Sequence, residues 1–166
     1  MLKTYIIAAT STDGFIAKDP TAPSTKWTSE YDKKRFVEMT KHSGVVVMGA
    51  KTFATISKAL PGRRTIVYSN TPIDVPGIET TSLPPAELIS KLESEGLKEL
   101  AICGGAMIYT MFMEANVVDN VYLTVEPVTF GTGIPLFNKS FDDKLELINT
   151  EQKPSGTIFK DYKVIK

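Results

Sequence analysis

The sequence predicts an α/β fold, a three-layer sandwich with helices on both faces of a mixed, mostly parallel central sheet that ends in a C-terminal antiparallel hairpin. Three observations carry this. Short apolar runs rich in β-branched residues recur along the 166 residues, most of them apolar nearly throughout, as strands covered on both faces are. Helical segments with start and stop signals stand between them. The tail instead alternates apolar and polar residues on either side of a turn, the pattern of a hairpin with one wet face. Strands that alternate with helices stack in this way.

In chain order, the first strand is "TYIIAAT" (4–10). A helix follows in "SEYDKKRFVEMTKH" (29–42), which places Tyr31, Phe36, Met39 and the Arg35 stem near one face, with Ser29 and Asp32 in the form of an N-terminal cap. Next come a strand "GVVVMG" (44–49), a short helix "KTFATISKA" (51–59) and a strand "RTIVYS" (64–69). The helix "PPAELISKLESEG" (84–96) opens on prolines, carries Leu88, Ile89 and Leu92 on one face and stops at a glycine. The strand "ELAIC" (99–103), the helix "GAMIYTMFMEA" (105–115) and the strand "NVYLTVEPV" (120–128) complete the alternation. "KLELINTE" (144–151) and "TIFKDYKVI" (157–165) form the hairpin across "KPSG". No repeat, low-complexity stretch or linker interrupts the pattern, so residues 1–166 are expected to form one domain.

Composition narrows the function. Lysine plus arginine equals aspartate plus glutamate at 19 each, so no global field favours nucleic acid or an anionic membrane, and an anion must be held by a local site. The single cysteine, Cys103, excludes an intramolecular disulfide. The N-terminus lacks the pattern of a signal peptide, and no apolar run reaches the length of a membrane span, so a cytoplasmic protein is expected. One cysteine and one histidine argue against a zinc site. His42 reads as a solvent-exposed complement to a helix C-terminus, Cys103 as a small hydrophobe on a strand end, and Met107, Met111 and Met113 as core filler.

In open α/β sheets, ligands collect beyond the carboxyl ends of the strands. Two such junctions are unusual here. Gly104 and Gly105 stand between a strand and a helix, where bare backbone N–H groups can approach a phosphate. Gly49 ends another strand and is followed by Lys51 and the Thr52 hydroxyl at a helix start. Neither G-x-G-x-x-G nor G-x-x-x-x-G-K-[ST] is present, so any diphosphate site is of another kind. "LPGRR" (60–64) is either a solvated turn or a rigid mount for a guanidinium that grips a carboxylate. Asp32, five residues after the only tryptophan, is either a helix cap or a site acid.

Taken together, "IIAATSTDGFIA", "WTSEYDKKRF", "VVVMGAKTFATISKALPGRRTIVYSN", "AICGGAMIYTMF" and "VYLTVEPVTFGTGIPLF" resemble the dihydrofolate reductase superfamily, in its order and near its spacing, over nearly the whole chain. The resemblance implies the dihydrofolate reductase-like sandwich, NADPH as cofactor and dihydrofolate as the small-molecule partner, in a monomer or homodimer. It implies Asp32, Trp27 and Thr124 as the catalytic set, with Thr124 bonding the acid. Ile7, Ala8, Phe36, Ile56, Leu60 and Cys103 would line the substrate pocket, and Arg63 would clamp the carboxylate of the glutamate tail. Cofactor positions would be Ala9, Ile16, Gly49, Ala50, Lys51, Thr52, Ser69, Asn70, Gly104, Gly105, Ala106, Met107, Ile108 and Tyr109, with a cis peptide at Gly104–Gly105. The reaction implied is hydride transfer to C6 of the dihydropterin with protonation at N5, under a loop from Thr10 to Trp27 that closes over the site.

Several features resemble the riboflavin-biosynthesis branch instead. The loop before Trp27 is longer and has no proline preceding the tryptophan, Ala50 replaces an arginine, Met107 replaces a basic residue, and "EPVTFGTGIPLF" is similar to that branch. Lys51, Ser69 and Arg64 remain to meet a cofactor 2′-phosphate. Asp32 and Arg63 point back to folate, because that branch generally lacks both. The alternatives are therefore a reductase of a ribosylamino-pyrimidinone phosphate and a non-catalytic small-molecule binder of the same fold.

Overall fold

A computed structural model describes residues 1–166. The strands are β1 (Lys3–Thr10), β2 (Phe15–Ala17), β3 (Val45–Gly49), β4 (Arg64–Tyr68), β5 (Ile78–Thr81), β6 (Glu99–Ile102), β7 (Asn120–Val125), β8 (Ile134–Pro135), β9 (Leu145–Gln152) and β10 (Ile158–Val164). The helices are α1 (Glu30–Ser43), α2 (Ala50–Ile56), α3 (Pro85–Ser94) and α4 (Ala106–Glu114). Eight strands make one sheet in the order β5-β4-β3-β6-β1-β7-β10-β9, while β2 and β8 pair separately. The first six of these run parallel, and β10 lies antiparallel between β7 and the edge strand β9. The expected three-layer sandwich and closing hairpin are both present.

The apolar runs became strands because both of their faces are covered. Val45, Val46 and Val47 are wholly buried, each contributing about 1.5–3 kcal/mol as an upper figure. Successive β1 residues point to opposite faces. Ile6 joins Leu88 and Leu92 of α3 and Ile108 and Phe112 of α4 on one side, and Tyr5 and Ile7 join Phe53 of α2 on the other, with Phe36 and Met39 of α1 packed against them. No helix is long and apolar enough to cross a membrane.

The structure corrects five details, the first being Met107, which is exposed on α4 rather than core filler. Tyr31 is exposed rather than on the inner face of α1, and it lies beside the Lys153 ammonium. The strand expected over 120–128 ends at Val125, because Pro127 has no N–H to donate and Val128 turns its own back onto the Glu126 carbonyl at 2.8 Å. The helix expected over 51–59 ends at Ile56, where Ser57 turns left-handed with φ 57°. The edge strand β5 and the short β2 and β8 were not read at all. β5 is the polar "IETT", and the other two are too short to show a period.

Candidate active site

Parallel β1 and β6 are neighbours, yet their crossovers leave in opposite directions, through α1 towards β3 and through α4 to β7. Such a switch point opens a crevice at the carboxyl ends of the strands. The β1–β6 ladder stops at Ile6–Ile102. Beyond it the Ile7 carbonyl is met by the Tyr109 hydroxyl, which donates at 2.9 Å from α4. Tyr109 is buried, and burial pushes its pKa well above the usual value, so it stays a neutral donor.

The glycines sit where the two parted strands meet α2 and α4. The Gly104–Gly105 peptide is cis, and Gly49 N–H donates to the Gly104 carbonyl at 2.8 Å. A Cβ at Gly49 would lie 3.0 Å from Ile108, one at Gly104 3.2 Å from the Tyr109 hydroxyl, and one at Gly105 3.3 Å from Thr52 Oγ1. Gly105 is the N-cap of α4 and offers no side-chain bond, so the first amides of that helix are left for an anion. Thr52 is half-buried behind them, and Ala50, Lys51 and Met107 are exposed around the rim. This cradle, which any side chain would fill, fits a cofactor diphosphate.

On the other wall, Ile7 belongs to a buried cluster against which Phe36, Ile56, Leu60 and Cys103 pack, so five expected substrate-pocket residues share one face of the sheet. Ala8 faces the opposite cluster with Ile16 and Ile108. Burial pushes the Cys103 thiol up to about 12, which keeps it a protonated wall residue and not a nucleophile. Ala9 pairs with Thr124 across β1 and β7, and Thr124 is buried.

Asp32 stands above this face on the first turn of α1. Ser29, not Asp32, is the N-cap: its Oγ accepts the Asp32 N–H at 3.3 Å. Burial raises the Asp32 pKa; the nearby Thr124 hydroxyl lowers it, the charge of Glu126 raises it, and Arg35 and Lys33 lower it, with the net shift upward. Asp32, Phe36 and Thr40 follow at four-residue intervals and share one helix face. The stripe ends at Arg63, whose Nη1 donates to Thr40 Oγ1 at 3.0 Å and whose Nε donates to the Pro61 carbonyl at 3.0 Å. Two bonds fix the guanidinium plane and leave Nη2 without a protein partner.

Trp27 packs edge-on against Phe130 with ring centroids 5.1 Å apart. Phe130 belongs to a second loop, tied to the first by Asp13, which accepts the Ser11 hydroxyl at 2.6 Å and the Gly131 N–H at 2.7 Å. Sequence reading missed Phe130, Asp13 and above all Glu126. The signal for Glu126 was an acid inside the apolar run "YLTVEPV".

Of the residues proposed for a 2′-phosphate, Arg64 drops out. It opens β4 at the end of the strand away from the crevice and is bound by Glu79, with Nη2 donating at 2.8 Å, and by Glu95. The Ser69 hydroxyl already donates to the Thr71 carbonyl at 2.7 Å, and Asn70 is exposed. Lys51 has no carboxylate within ion-pair distance.

Comparison with known proteins agrees with this fold. A family model described as dihydrofolate reductase matches residues 3–161. Dihydrofolate reductase type A13 of Escherichia coli is 32% identical over 167 residues, covering 98% of this chain and 93% of its own. Among solved structures, a dihydrofolate reductase of Enterococcus faecalis complexed with NADP(H) superimposes with a TM-score of 0.79 at 24% identity, covering 99% of this chain and 97% of its own. A pyrimidine reductase-like protein of Corynebacterium diphtheriae superimposes with a TM-score of 0.80 at 21% identity, covering 99% and 92%. With a matching family model over nearly its whole length and the fold and crevice to go with it, the chain belongs to the dihydrofolate reductase family.

Proposed function

We propose that this protein reduces 7,8-dihydrofolate to tetrahydrofolate. As a member of its family the chain is an NADPH-dependent oxidoreductase, and the cofactor supplies the hydride. The observation that carries the choice of substrate is the stripe Asp32–Phe36–Thr40 ending on Arg63. Eight residues of helix span about 12 Å, so one wall carries an acid at one end, an aromatic face between, and a fixed cation at the other. A flat heterocycle joined through an aryl group to a carboxylate tail has that sequence of chemistries.

Each residue then has a task. The Asp32 carboxylate takes the 2-amino and N3 edge of the pterin and favours a proton at N5. Thr124 holds the acid, while Ile7, Phe36, Ile56 and Cys103 keep water off the reacting face. Trp27 and its loop close the mouth. Gly49, Gly104, Gly105 and Thr52 would hold the diphosphate, and Tyr109 would stand beside the nicotinamide.

Purified protein with NADPH and dihydrofolate is expected to lose nicotinamide absorbance. Turnover of a ribosylamino-pyrimidinone phosphate alone would establish the second reading, which the pyrimidine reductase-like neighbour favours. Arg63→Ala is expected to raise the KM for dihydrofolate about 10- to 100-fold, the loss of one charge-assisted contact, with little change for a pterin that lacks the glutamate tail. An equal rise for both would overturn the clamp. Lys51→Gln is expected to lower the preference for NADPH over NADH several-fold, as loss of one phosphate contact does. Arg64→Gln leaves that preference unchanged, since its partners are Glu79 and Glu95.

A further inference from the structure

Glu126 is a buried carboxylate that the proposed reaction does not use directly. It lies just past the end of β7 and is 1% exposed. Its Oε2 accepts the backbone N–H of Ser29, and its Oε1 accepts the Thr157 hydroxyl at 2.5 Å. Thr157 Oγ1 in turn lies 2.8 Å from Ser155 Oγ, and the Glu126 N–H donates to the Thr10 carbonyl at 2.9 Å. Both carboxylate oxygens therefore face donors, the condition under which a buried charge is tolerated.

Which donor it takes matters more than that it takes one. In a capping box, the Ser at the helix N-cap accepts an N–H from the residue three positions on, and the acid there reaches back to the N-cap N–H. Ser29 and Asp32 form the first half of such a box, with Ser29 Oγ accepting the Asp32 N–H at 3.3 Å. The second half is taken, because the Ser29 N–H already goes to Glu126.

We propose that Glu126 is the positioning residue of this site: by occupying the Ser29 N–H from β7, it displaces Asp32 from the capping box and leaves that carboxylate facing the crevice. The proposal deepens the reading of Asp32 as the acid and rests on it. A second consequence is electrostatic. The negative charge of Glu126 adds to burial in raising the proton affinity of Asp32, against the Thr124 hydroxyl of β7 and the Arg35 and Lys33 cations of α1. Tyr109, from α4, is the other titratable group coupled to Asp32, and its own raised pKa keeps it neutral.

The test titrates Asp32 in the free protein, by carbon NMR of labelled aspartate carboxyls, with its signal identified by its loss in Asp32→Asn. Glu126→Gln keeps an oxygen for the Ser29 N–H and removes the charge, so the Asp32 midpoint is expected to fall while turnover changes only a few-fold. Glu126→Ala frees the N–H for Asp32. The midpoint is then expected to fall further, since a carboxylate that gains an N–H donor holds its proton less tightly, and dihydrofolate turnover to drop at least tenfold. An Asp32 midpoint in Glu126→Ala no lower than in Glu126→Gln would overturn the displacement from the capping box; where the Ala variant does not fold, Glu126→Leu, which likewise frees the Ser29 N–H, is read in its place. A shifted midpoint in both variants with unchanged turnover upholds the placement of Glu126 and overturns the catalytic reading of Asp32 instead.

Discussion

Asp32→Asn is expected to lower dihydrofolate turnover at neutral pH by roughly 10²- to 10⁴-fold, the range for removal of a positioned acid–base group, or about 3–5 kcal/mol of barrier. NADPH binding is expected to persist, because the glycine cradle lies on other elements. The same variant is expected to be more stable than the wild type at pH 7. Burial first, and then Glu126, raise the Asp32 pKa in the folded protein, so the folded state binds that proton more tightly than the unfolded chain. The wild type therefore loses stability as pH rises from the ordinary carboxylate range through the raised folded value. Asparagine loses none, so the gap in Tm opens above that window and closes below it. Thermal unfolding across pH, read beside nicotinamide absorbance, checks both halves. Undiminished turnover would return Asp32 to a structural part in the first turn of α1.

Gly104→Ala is expected to weaken NADPH binding about 10- to 100-fold, the loss of one or two directed contacts, and to lower Tm. Gly104 has φ +118°, and its Cβ would lie 3.2 Å from a Tyr109 hydroxyl that is itself held by the Ile7 carbonyl. The backbone conformation costs about 1–3 kcal/mol and the crowding about as much again. At about 2–4 °C per kcal/mol for a chain of this size, the sum is a fall in Tm of roughly 5–20 °C. Gly96→Ala is the control. It has φ +89° but open space around its Cβ, so it carries the backbone cost alone and leaves NADPH binding intact. Equal cofactor affinity in the two variants would remove Gly104 from the cradle.

How far these residues were legible depends on the range over which each is determined. The Gly104–Gly105 pair after an apolar strand and the proline-glycine turn before Arg63 are local signals: the first lies at the carboxyl ends of the strands, and the second sets Arg63 against Thr40 near the far end of α1. The face shared by Asp32, Phe36 and Thr40 follows from the helical period. Arg64 was misread because its sequence neighbourhood resembles that of Arg63. The two alternate along the entry to β4, and only the second meets Glu79 and Glu95, residues 15 and 31 positions away. Tyr31 was misread because its spacing from the apolar residues of α1 is only approximate, and it falls on an exposed flank of the helix beside Lys153, a residue 122 positions away.

The sequence by itself determined the succession of elements, the mostly parallel sheet, the glycine junctions and the residue types of the crevice, because periodicity and turn chemistry act over a few residues. The tertiary structure alone decided whether Asp32 caps its helix or faces the crevice. That choice belongs to Glu126, 97 residues from the Ser29 N–H that it accepts, and only the sheet order that sets β7 beside β1 brings them together.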